Sequence, residues 1–294
     1  MEKKKFDEKS LIGGNMIKDK EVITSRQNPT VKRICALADK KGRRAEGLFR
    51  FDGIKLFGEA VQRGIDVRYA VVREDISPDA EAAIDRAVAE GKLPAAAVIR
   101  VSEAVFEKIS EERSPEGIIT VAAYLDSLHR SLDSAEAGVL SIDKSERILI
   151  VESIRDPGNL GTVIRSCAAL GIDRLLISDD CADLYSPKVI RAAMGGIFGL
   201  RIDVVPVGSL PEAILSLRSG GRHVYATALH SEAVRIGELK LEAGDCFVIG
   251  NEGHGLSREV IAACDKCAVI PMTEGSESLN AAAAAAICIW ETVR

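Results

Sequence analysis

Two apolar runs, each ending in a loop of glycines and small polar residues, decide the fold of this chain. They read Phe247-Val-Ile-Gly-Asn-Glu-Gly-His-Gly-Leu-Ser257 and Val269-Ile-Pro-Met-Thr-Glu-Gly-Ser-Glu-Ser-Leu-Asn280. Apolar runs of this length between turn residues are typical of buried strands. Ligands of open α/β sheets bind beyond the carboxyl ends of the strands, where glycines let the backbone approach them closely. The stretch therefore predicts a ligand site made by two loops.

The preceding part of the chain alternates between strand-like and helix-like segments. Strands are predicted at 147–154, 174–178, 201–207 and 223–229, with helices starting near residues 159, 186 and 209. This alternation is typical of a parallel sheet with helices on both faces. The chain has no Gly-x-x-x-x-Gly-Lys-Ser/Thr sequence, and residues 250–255 lack the helix-opening Gly-x-Gly-x-x-Gly pattern. The first absence argues against a P-loop kinase or ATPase, and the second means that the loop does not match the dinucleotide-binding fingerprint.

The first half of the chain predicts a separate, smaller α/β domain over residues 21–125. Asn28 before Pro29 predicts a capped helix, and short strands alternate with helices from residue 48 to residue 123. Residues 1–20 are charged and lack an apolar segment, so they predict a flexible tail. Residues 126–146 are polar, serine-rich and poorly periodic, which predicts a linker to a second domain over 147–294.

The composition limits the classes to which this protein can belong. The chain has 294 residues, 47% hydrophobic content and a formal net charge of −5, which excludes global disorder. Its seven cysteines, mostly inside apolar runs, are typical of a reducing compartment, and a lone Cys-x-x-Cys at 264–267 does not predict a metal site. The sequence has no run of 18 apolar residues and no secretory signal, so it predicts a cytoplasmic protein without a membrane span.

Positive charge is concentrated in residues 26–55, which hold nine Lys or Arg against three Asp or Glu. A local basic surface of this kind is typical of nucleic-acid binding. A solvated helix face is the alternative, and the charge alone does not decide between the two. The predicted nucleic-acid contacts are Arg26, Lys32, Lys40, Lys41, Arg43 and Arg44.

A third motif precedes the two loops and completes a family pattern. It reads Asp156-Pro-Gly-Asn-Leu-Gly-Thr-Val-Ile-Arg-Ser-Cys167, and with the two loops it resembles the three motifs of the SpoU (TrmH-like) RNA ribose methyltransferases of the SPOUT superfamily. The resemblance spans residues 148–294. It implies a parallel sheet with a trefoil knot near the C-terminus, whereas the general rules of chain connection predict no knot. Residues 23–29 and 48–55 resemble the RNA substrate-binding domain of these enzymes, which is similar to a ribosomal-protein fold.

The resemblance implies methyl transfer from S-adenosyl-L-methionine to a ribose 2′-hydroxyl of structured RNA, either ribosomal or transfer RNA. It also implies a homodimer through the C-terminal domain, and we expect no metal. The positions that match the family's catalytic residues are Arg165, Asn159, Glu252, Ser278 and Asn280. Those that match its donor-binding residues are Thr227, Gly250, Ile270 and Leu279.

Arg165 is the most distinctive of these residues, because it interrupts an otherwise apolar helical segment. Arginine is rarely buried unpaired, so Arg165 should point to a partner, a cleft or solvent. The resemblance implies a functional arginine at this position that contacts the RNA phosphate near the reacting ribose. Because a guanidinium resists deprotonation, we expect it to stabilise that phosphate and the forming alkoxide rather than to act as a base. Asn159 lies six residues earlier, about 600° around a helix, so the two side chains would not share a face if both were helical. Asn159 escapes that limit as a helix cap. Glu252 is expected to pair with Arg165 or to order a hydroxyl.

Two other functions are compatible with parts of this pattern. One is an RNA-binding assembly factor that keeps the fold but has lost catalysis, and the complete set of five polar positions argues against it. The other is a dehydrogenase that uses the sheet as a Rossmann domain, and the absent phosphate fingerprint argues against that. Binding of the methyl donor distinguishes the enzyme from the first alternative, and binding of a nicotinamide would identify the second.

Overall fold

The computed structural model describes residues 20–112, 114–230, 232–273 and 278–294. These residues form two compact units. The first contains the described residues up to Ala38 together with Arg44–Ala123, and the second contains Asp39–Arg43 and Tyr124–Arg294. Apart from Lys20, the predicted flexible tail over residues 1–20 lies outside the described residues.

The part of the chain up to Ala123 forms strands and helices around a mixed sheet. In chain order they are β1 (Val22–Ile23), α1 (Pro29–Ala36), α2 (Lys40–Glu46), β2 (Leu48–Asp52), α3 (Ile54–Gln62), β3 (Val67–Arg73), α4 (Pro78–Ala89), β4 (Val98–Val101), α5 (Glu103–Ile109) and β5 (Ile118–Ala123). The described strands follow the order β1-β4-β3-β5-β2. Strand β5 runs antiparallel to both of its neighbours, while β4 runs parallel to β1 and β3.

Helix α1 shows how the sequence determines this unit locally. The side chain of Asn28 accepts a hydrogen bond of 2.8 Å from the amide of Thr30, and Pro29 occupies the first turn, as the sequence predicts. The apolar face of α1, with Val31 and Ile34, is buried in a core cluster with residues of α5. Burying that face leaves the polar side of the helix exposed to solvent.

The second unit is an α/β fold around a parallel sheet. In chain order its elements are β6 (His129–Ser131), α6 (Ser134–Gly138), β7 (Ile148–Val151), α7 (Pro157–Leu170), β8 (Arg174–Ser178), α8 (Pro187–Ala193), β9 (Arg201–Val205), α9 (Leu210–Ser219), β10 (Val224–Thr227), β11 (Val234–Arg235), β12 (Cys246–Ile249), α10 (Arg258–Ala263), β13 (Lys266–Val269) and α11 (Ala281–Val293). The described strands follow the order β11-β13-β10-β12-β7-β8-β9-β6, and each pairing between them is parallel.

The prediction of a linker over residues 126–146 is wrong, because this segment contributes β6 and α6 to the second unit. Strand β6 pairs with β9, and α6 begins with a capping box between Asp133 and Glu136. The side chains of Leu132, Ala137 and Leu140 are buried in the core. A three-residue strand and a five-residue helix are too short to show a hydrophobic period, which is why the pattern suggested a linker.

The register of the central strands determines where the loops meet. Strand β12 lies between β7 and β10, with Val248 opposite Ile150 on one side and Ala226 on the other. These three side chains are fully buried in one core cluster. Because the strands are parallel, the loops that follow β7, β10, β12 and β13 all leave from the same edge of the sheet. Among the described residues, no helix has the length and apolar character needed to span a membrane.

Candidate active site

A cleft of about 680 Å³ opens at the carboxyl ends of β10, β12 and β13, and we refer to it as the loop cleft. Its lining includes all four residues predicted to contact the methyl donor, which are Thr227, Gly250, Ile270 and Leu279. Two of the predicted catalytic residues, Glu252 and Ser278, also lie in its wall. The sequence analysis assigned no site role to Leu229, His254 and Met272, which also line the cleft. All of the lining residues lie between Thr227 and Ala284, in the second unit.

Close backbone packing requires glycine at position 250. A Cβ atom there would lie 2.4 Å from the carbonyl carbon of Gly255 and 2.6 Å from its oxygen. The chain folds back at this point because Asn251 and Gly255 exchange backbone hydrogen bonds of 3.0 and 2.9 Å. Inside the turn, the side chain of Asn251 accepts hydrogen bonds from the amides of Gly253 and His254, at 2.8 and 3.2 Å. The first glycine loop is therefore a tight hairpin.

Three of the predicted catalytic residues form a chain of hydrogen bonds, here called the polar trio. The side-chain amide of Asn159 donates to Oε1 of Glu252 at 2.6 Å. The side-chain amide of Asn280 donates to Oδ1 of Asn159 at 2.9 Å. The oxygen of Asn280 accepts from the amides of Ala282 and Ala283, which makes Asn280 the N-cap of α11. The trio thus connects α7, the hairpin after β12 and the start of the last helix.

The prediction that Asn159 caps a helix is wrong. Asp156 is the N-cap of α7, and its Oδ1 accepts a hydrogen bond of 2.8 Å from the amide of Asn159. Pro157 opens the helix, so Asn159 lies inside the first turn. An aspartate before proline has the same capping ability as asparagine, and the sequence did not distinguish the two positions. Because Asp156 makes the cap, the side chain of Asn159 is not needed for capping, and its side-chain amide can join the polar trio.

Arg165 is not brought to the polar trio within the chain. It is an exposed residue of α7, and the described part of the chain gives it neither an ion pair nor a hydrogen-bond partner. Since Asn159 and Arg165 are both helical, their side chains point about 120° apart around the helix axis. Of the two roles expected for Glu252, the pairing with Arg165 is not formed in the described part of the chain, where Glu252 accepts a hydrogen bond from Asn159.

Glu152 was missed by the sequence reasoning, although it lies directly behind the hairpin. It follows β7 and is only 4% exposed. Its Oε2 accepts a hydrogen bond of 2.8 Å from the amide of Ser257, and its Oε1 accepts one of 2.6 Å from the Ser257 hydroxyl. The sequence did carry a signal, since an acidic residue within an apolar run must find donors when it is buried.

Ser153, the next residue, has a positive φ of 57°. Its carbonyl oxygen accepts a hydrogen bond of 2.7 Å from the side chain of Asn251. Its amide donates to the hydroxyl of Ser178, and its own hydroxyl donates to Asp180, both at 2.7 Å. Burial opposes ionisation of Asp180, but hydrogen bonds from Ser178, Ser153 and Arg155 outweigh it and lower the pKa of this carboxyl. An ionised Asp180 thus holds a serine in a conformation that favours glycine.

The basic residues predicted to contact RNA differ in their exposure. Arg26, Lys32, Lys40, Lys41 and Arg44 are exposed. Arg43 is only 3% exposed, and its guanidinium pairs at 2.5 Å with Asp183. The prediction that Arg43 is an RNA contact is therefore not supported by its burial. Alternate arginines and lysines in a short basic run look alike in sequence, and packing decides which of them is buried.

No cluster of three or more possible metal ligands occurs in the described part of the chain. Burial raises the pKa of the Cys264 thiol to about 12, so at neutral pH this residue of the Cys-x-x-Cys pair is protonated. A protonated thiol is a poor metal ligand and a poor nucleophile.

Comparison with known proteins agrees with this geometry. Residues 146–290 match the SpoU rRNA Methylase family, and residues 28–120 match the MRM3-like substrate binding domain. The 23S rRNA (guanosine(2553)-2′-O)-methyltransferase RlmP of Bacillus subtilis is 29% identical over 91% of this chain and 97% of its own length. The 23S rRNA (guanosine-2′-O-)-methyltransferase RlmB of Coxiella burnetii is 30% identical over 67% of this chain and 76% of its own length.

A solved structure of an rRNA methyltransferase has the same fold as this chain. The AdoMet-bound rRNA methyltransferase from Sinorhizobium meliloti superposes with a TM-score of 0.76 at 28% identity, covering 92% of this chain and 97% of that one. Fold, cleft and matches together define the class as an RNA methyltransferase that uses S-adenosylmethionine. The chain belongs to the SpoU rRNA methylase family.

Proposed function

We propose that this enzyme methylates a ribose 2′-hydroxyl of ribosomal RNA and that S-adenosylmethionine binds in the loop cleft. One observation carries the proposal. Glu252 lines the cleft and also accepts the hydrogen bond from Asn159, so the pocket for the donor and the polar trio share a residue. Ribosomal rather than transfer RNA is proposed because the relatives named above act on 23S rRNA.

The reaction needs little covalent help from the protein. S-adenosylmethionine would supply an electrophilic methyl group when bound. The 2′-oxygen would form the new carbon–oxygen bond as the carbon–sulfur bond breaks with its electrons going to sulfur, and the hydroxyl proton would pass to solvent water. The protein must align the two groups and help the proton depart. Oε1 of Glu252 is engaged by Asn159, while Oε2 has no hydrogen-bond partner in the described part of the chain. We assign Oε2 the task of accepting a hydrogen bond from the ribose hydroxyl.

We assign Arg165 to the RNA phosphate, where its fixed fork of donors can hold two oxygens. Because Arg165 points away from the polar trio of its own chain, a homodimer through the second unit would be needed to supply it from the partner. Helix α11 supports such an interface, since its residues 281–290 are all apolar and its Trp290 is 56% exposed. A large exposed aromatic side chain is typical of an interface centre.

Three further features belong to the same proposal. We propose that the segment from β12 to α11 forms the trefoil knot of the SPOUT fold. Two observations support the knot, the position of β12 between β10 and β7 and the packing of α11 on α7 and β12.

We propose that residues 21–125 hold the RNA, supported by the match of residues 28–120 to a substrate-binding domain. The cytoplasm is the proposed location, on the cysteine usage described above.

The proposal is tested by giving the purified protein S-adenosylmethionine with a radioactive methyl group and either ribosomal or transfer RNA from a strain that lacks the gene. Nuclease digestion and mass spectrometry would then locate the product. We expect one ribose-methylated nucleotide, in ribosomal RNA. Methylation of transfer RNA alone would overturn the choice of substrate. Donor binding without methylation of any RNA would favour the assembly factor.

A further inference from the structure

We propose that Glu152 is a positioning residue of the donor site, which fixes the glycine hairpin by holding Ser257. This inference rests on the proposed binding of the donor in the loop cleft. Ser257 ends the 250–257 loop and caps α10, where its hydroxyl also accepts from the amide of Val260 at 3.3 Å. Both of its donor groups reach the Glu152 carboxylate, at 2.6 and 2.8 Å. Ser257, the last residue of the 250–257 loop, is thus held by Glu152, which lies in the loop that follows β7.

The adjacent Ser153 holds the other end of the hairpin. Its carbonyl oxygen accepts from the side chain of Asn251, which stands at the first turn position. Two consecutive residues, Glu152 and Ser153, therefore hold the two ends of residues 251–257. Between these ends lie Glu252 and other residues of the cleft lining, among them His254 and Leu256. Asp180 and Ser178 support Ser153 from the opposite side, as described above.

The charge of Glu152 makes this contact stronger than a neutral pair would be. A buried carboxylate needs donors, and hydrogen bonds to charged groups are stronger than neutral ones. In the described part of the chain, no Lys or Arg forms an ion pair with Glu152, so Ser257 provides the hydrogen bonds that stabilise this charge. Losing the charge frees the end of the hairpin, and donor binding must then reorder it.

The variants Glu152→Gln and Ser257→Ala test this role in the full-length protein. We expect each to raise the Kd for S-adenosylmethionine, measured by calorimetry, by about tenfold, the effect of one lost charge-assisted hydrogen bond. The double variant should bind no worse than Glu152→Gln alone, because both substitutions remove the same contact. A purely structural role would instead lower the melting temperature and leave the Kd of the folded fraction unchanged.

Asp245→Asn is the matched control. Asp245 is only 2% exposed, and it accepts hydrogen bonds from the amides of His223 and Glu242 at 3.1 and 2.9 Å. It lies before β12, at the amino end of the strand, and does not line the loop cleft. This variant should lose stability without weakening donor binding. An equal rise of Kd in Asp245→Asn, or an unchanged Kd in both test variants, would overturn the proposal.

Two further measurements keep the result interpretable. If Glu152→Gln does not fold, Ser257→Ala decides alone, because it removes one hydroxyl and leaves the carboxylate and the backbone amide. Gly250→Ala tests the donor site itself, since the added Cβ cannot fit against Gly255. If wild type binds the donor and Gly250→Ala binds equally well, the loop cleft is not the donor site. If Gly250→Ala fails to bind while Glu152→Gln and Ser257→Ala bind normally, only the positioning role is wrong.

Discussion

The side-chain amide of Asn159 lies 2.6 Å from a carboxylate oxygen of Glu252, although 93 residues separate the two in the chain. Glu252 lines the loop cleft, and this hydrogen bond leaves its Oε2 without a hydrogen-bond partner in the described part of the chain. It also fixes the orientation of Asn159, whose own oxygen accepts from Asn280. A disturbance at either end of this chain of bonds should therefore reach the other end.

Asn159→Ala should lower the single-turnover rate of methyl transfer by about 10- to 100-fold, because a hydrogen bond to a charged group is lost at Glu252. Asn159→Asp should be worse than Asn159→Ala, since it places two carboxylates at the distance of a hydrogen bond. The Kd for the donor should change little in Asn159→Ala. Equal rates for wild type and Asn159→Ala, measured with saturating donor, would show that the polar trio is not catalytic.

Arg165→Ala should reduce single-turnover methylation by about 10²–10³-fold, the cost of removing a charged group that stabilises the transition state. Its melting temperature should remain that of wild type, because the side chain is exposed and has no partner in the described part of the chain. Arg165→Lys should recover only part of the rate, since an ammonium lacks the bidentate fork. A rate loss that merely follows the unfolded fraction would assign Arg165 a packing role instead.

Mixing the two slowed variants, Arg165→Ala and Asn159→Ala, tests whether sites are shared between protomers. If Arg165 acts in the partner's site, a heterodimer of Arg165→Ala and Asn159→Ala protomers contains one complete site. Unfolding and refolding the two variants together should then give a methylation rate well above the rate of either variant alone. The control is the same procedure on each variant separately. Absence of recovery in verified heterodimers, or a monomer by light scattering, would contradict the shared site.

Arg43 should behave unlike its basic neighbours. The triple variant Lys40→Ala, Lys41→Ala and Arg44→Ala should weaken RNA binding and reduce its log–log salt slope by about 0.7–0.9 for each lost phosphate contact. Arg43→Ala should instead lower the free energy of unfolding by about 3 kcal/mol, because it leaves Asp183 unpaired. Filter binding over a salt series and thermal melting of both proteins separate the two effects. Unchanged RNA affinity in the triple variant would refute the RNA surface.

Acid should destabilise the second unit through His129. Burial lowers the pKa of this histidine from 6.5 to about 4, and its Nδ1 shares a hydrogen bond of 2.9 Å with the hydroxyl of Tyr185. Between these two pKa values the unfolded chain binds a proton that the folded chain does not. Stability is therefore full above pH 6.5 and falls as the pH drops towards 4, by a total on the order of 3 kcal/mol. A His129→Gln variant should lose less stability over this range, and an equal decline in both proteins would contradict the assignment.

Local sequence determined the features that depend on neighbouring residues. Asn28 and Pro29 begin a helix wherever they stand before a helical pattern, and the structure has that cap. The alternation of apolar runs and helical segments predicted the parallel sheet, because each strand must be buried on both faces. The glycines after β12 also predicted a tight turn, since a loop at that edge of the sheet needs one. The residue types of the polar trio were found through the family pattern in the sequence.

Where several residues of similar type lie close together in the sequence, only the tertiary structure decided which of them caps a helix and which of them is buried. Asp156 rather than Asn159 caps α7, and Arg43 rather than Arg44 is buried, because long-range packing chooses between chemically equivalent neighbours. Residues 126–146 join the sheet through contacts with β9 and α9, which no local pattern records. Glu152 finds Ser257 across 105 positions of the chain. Its partner could not be predicted, because a buried charge requires donors but the sequence does not state where the fold will supply them.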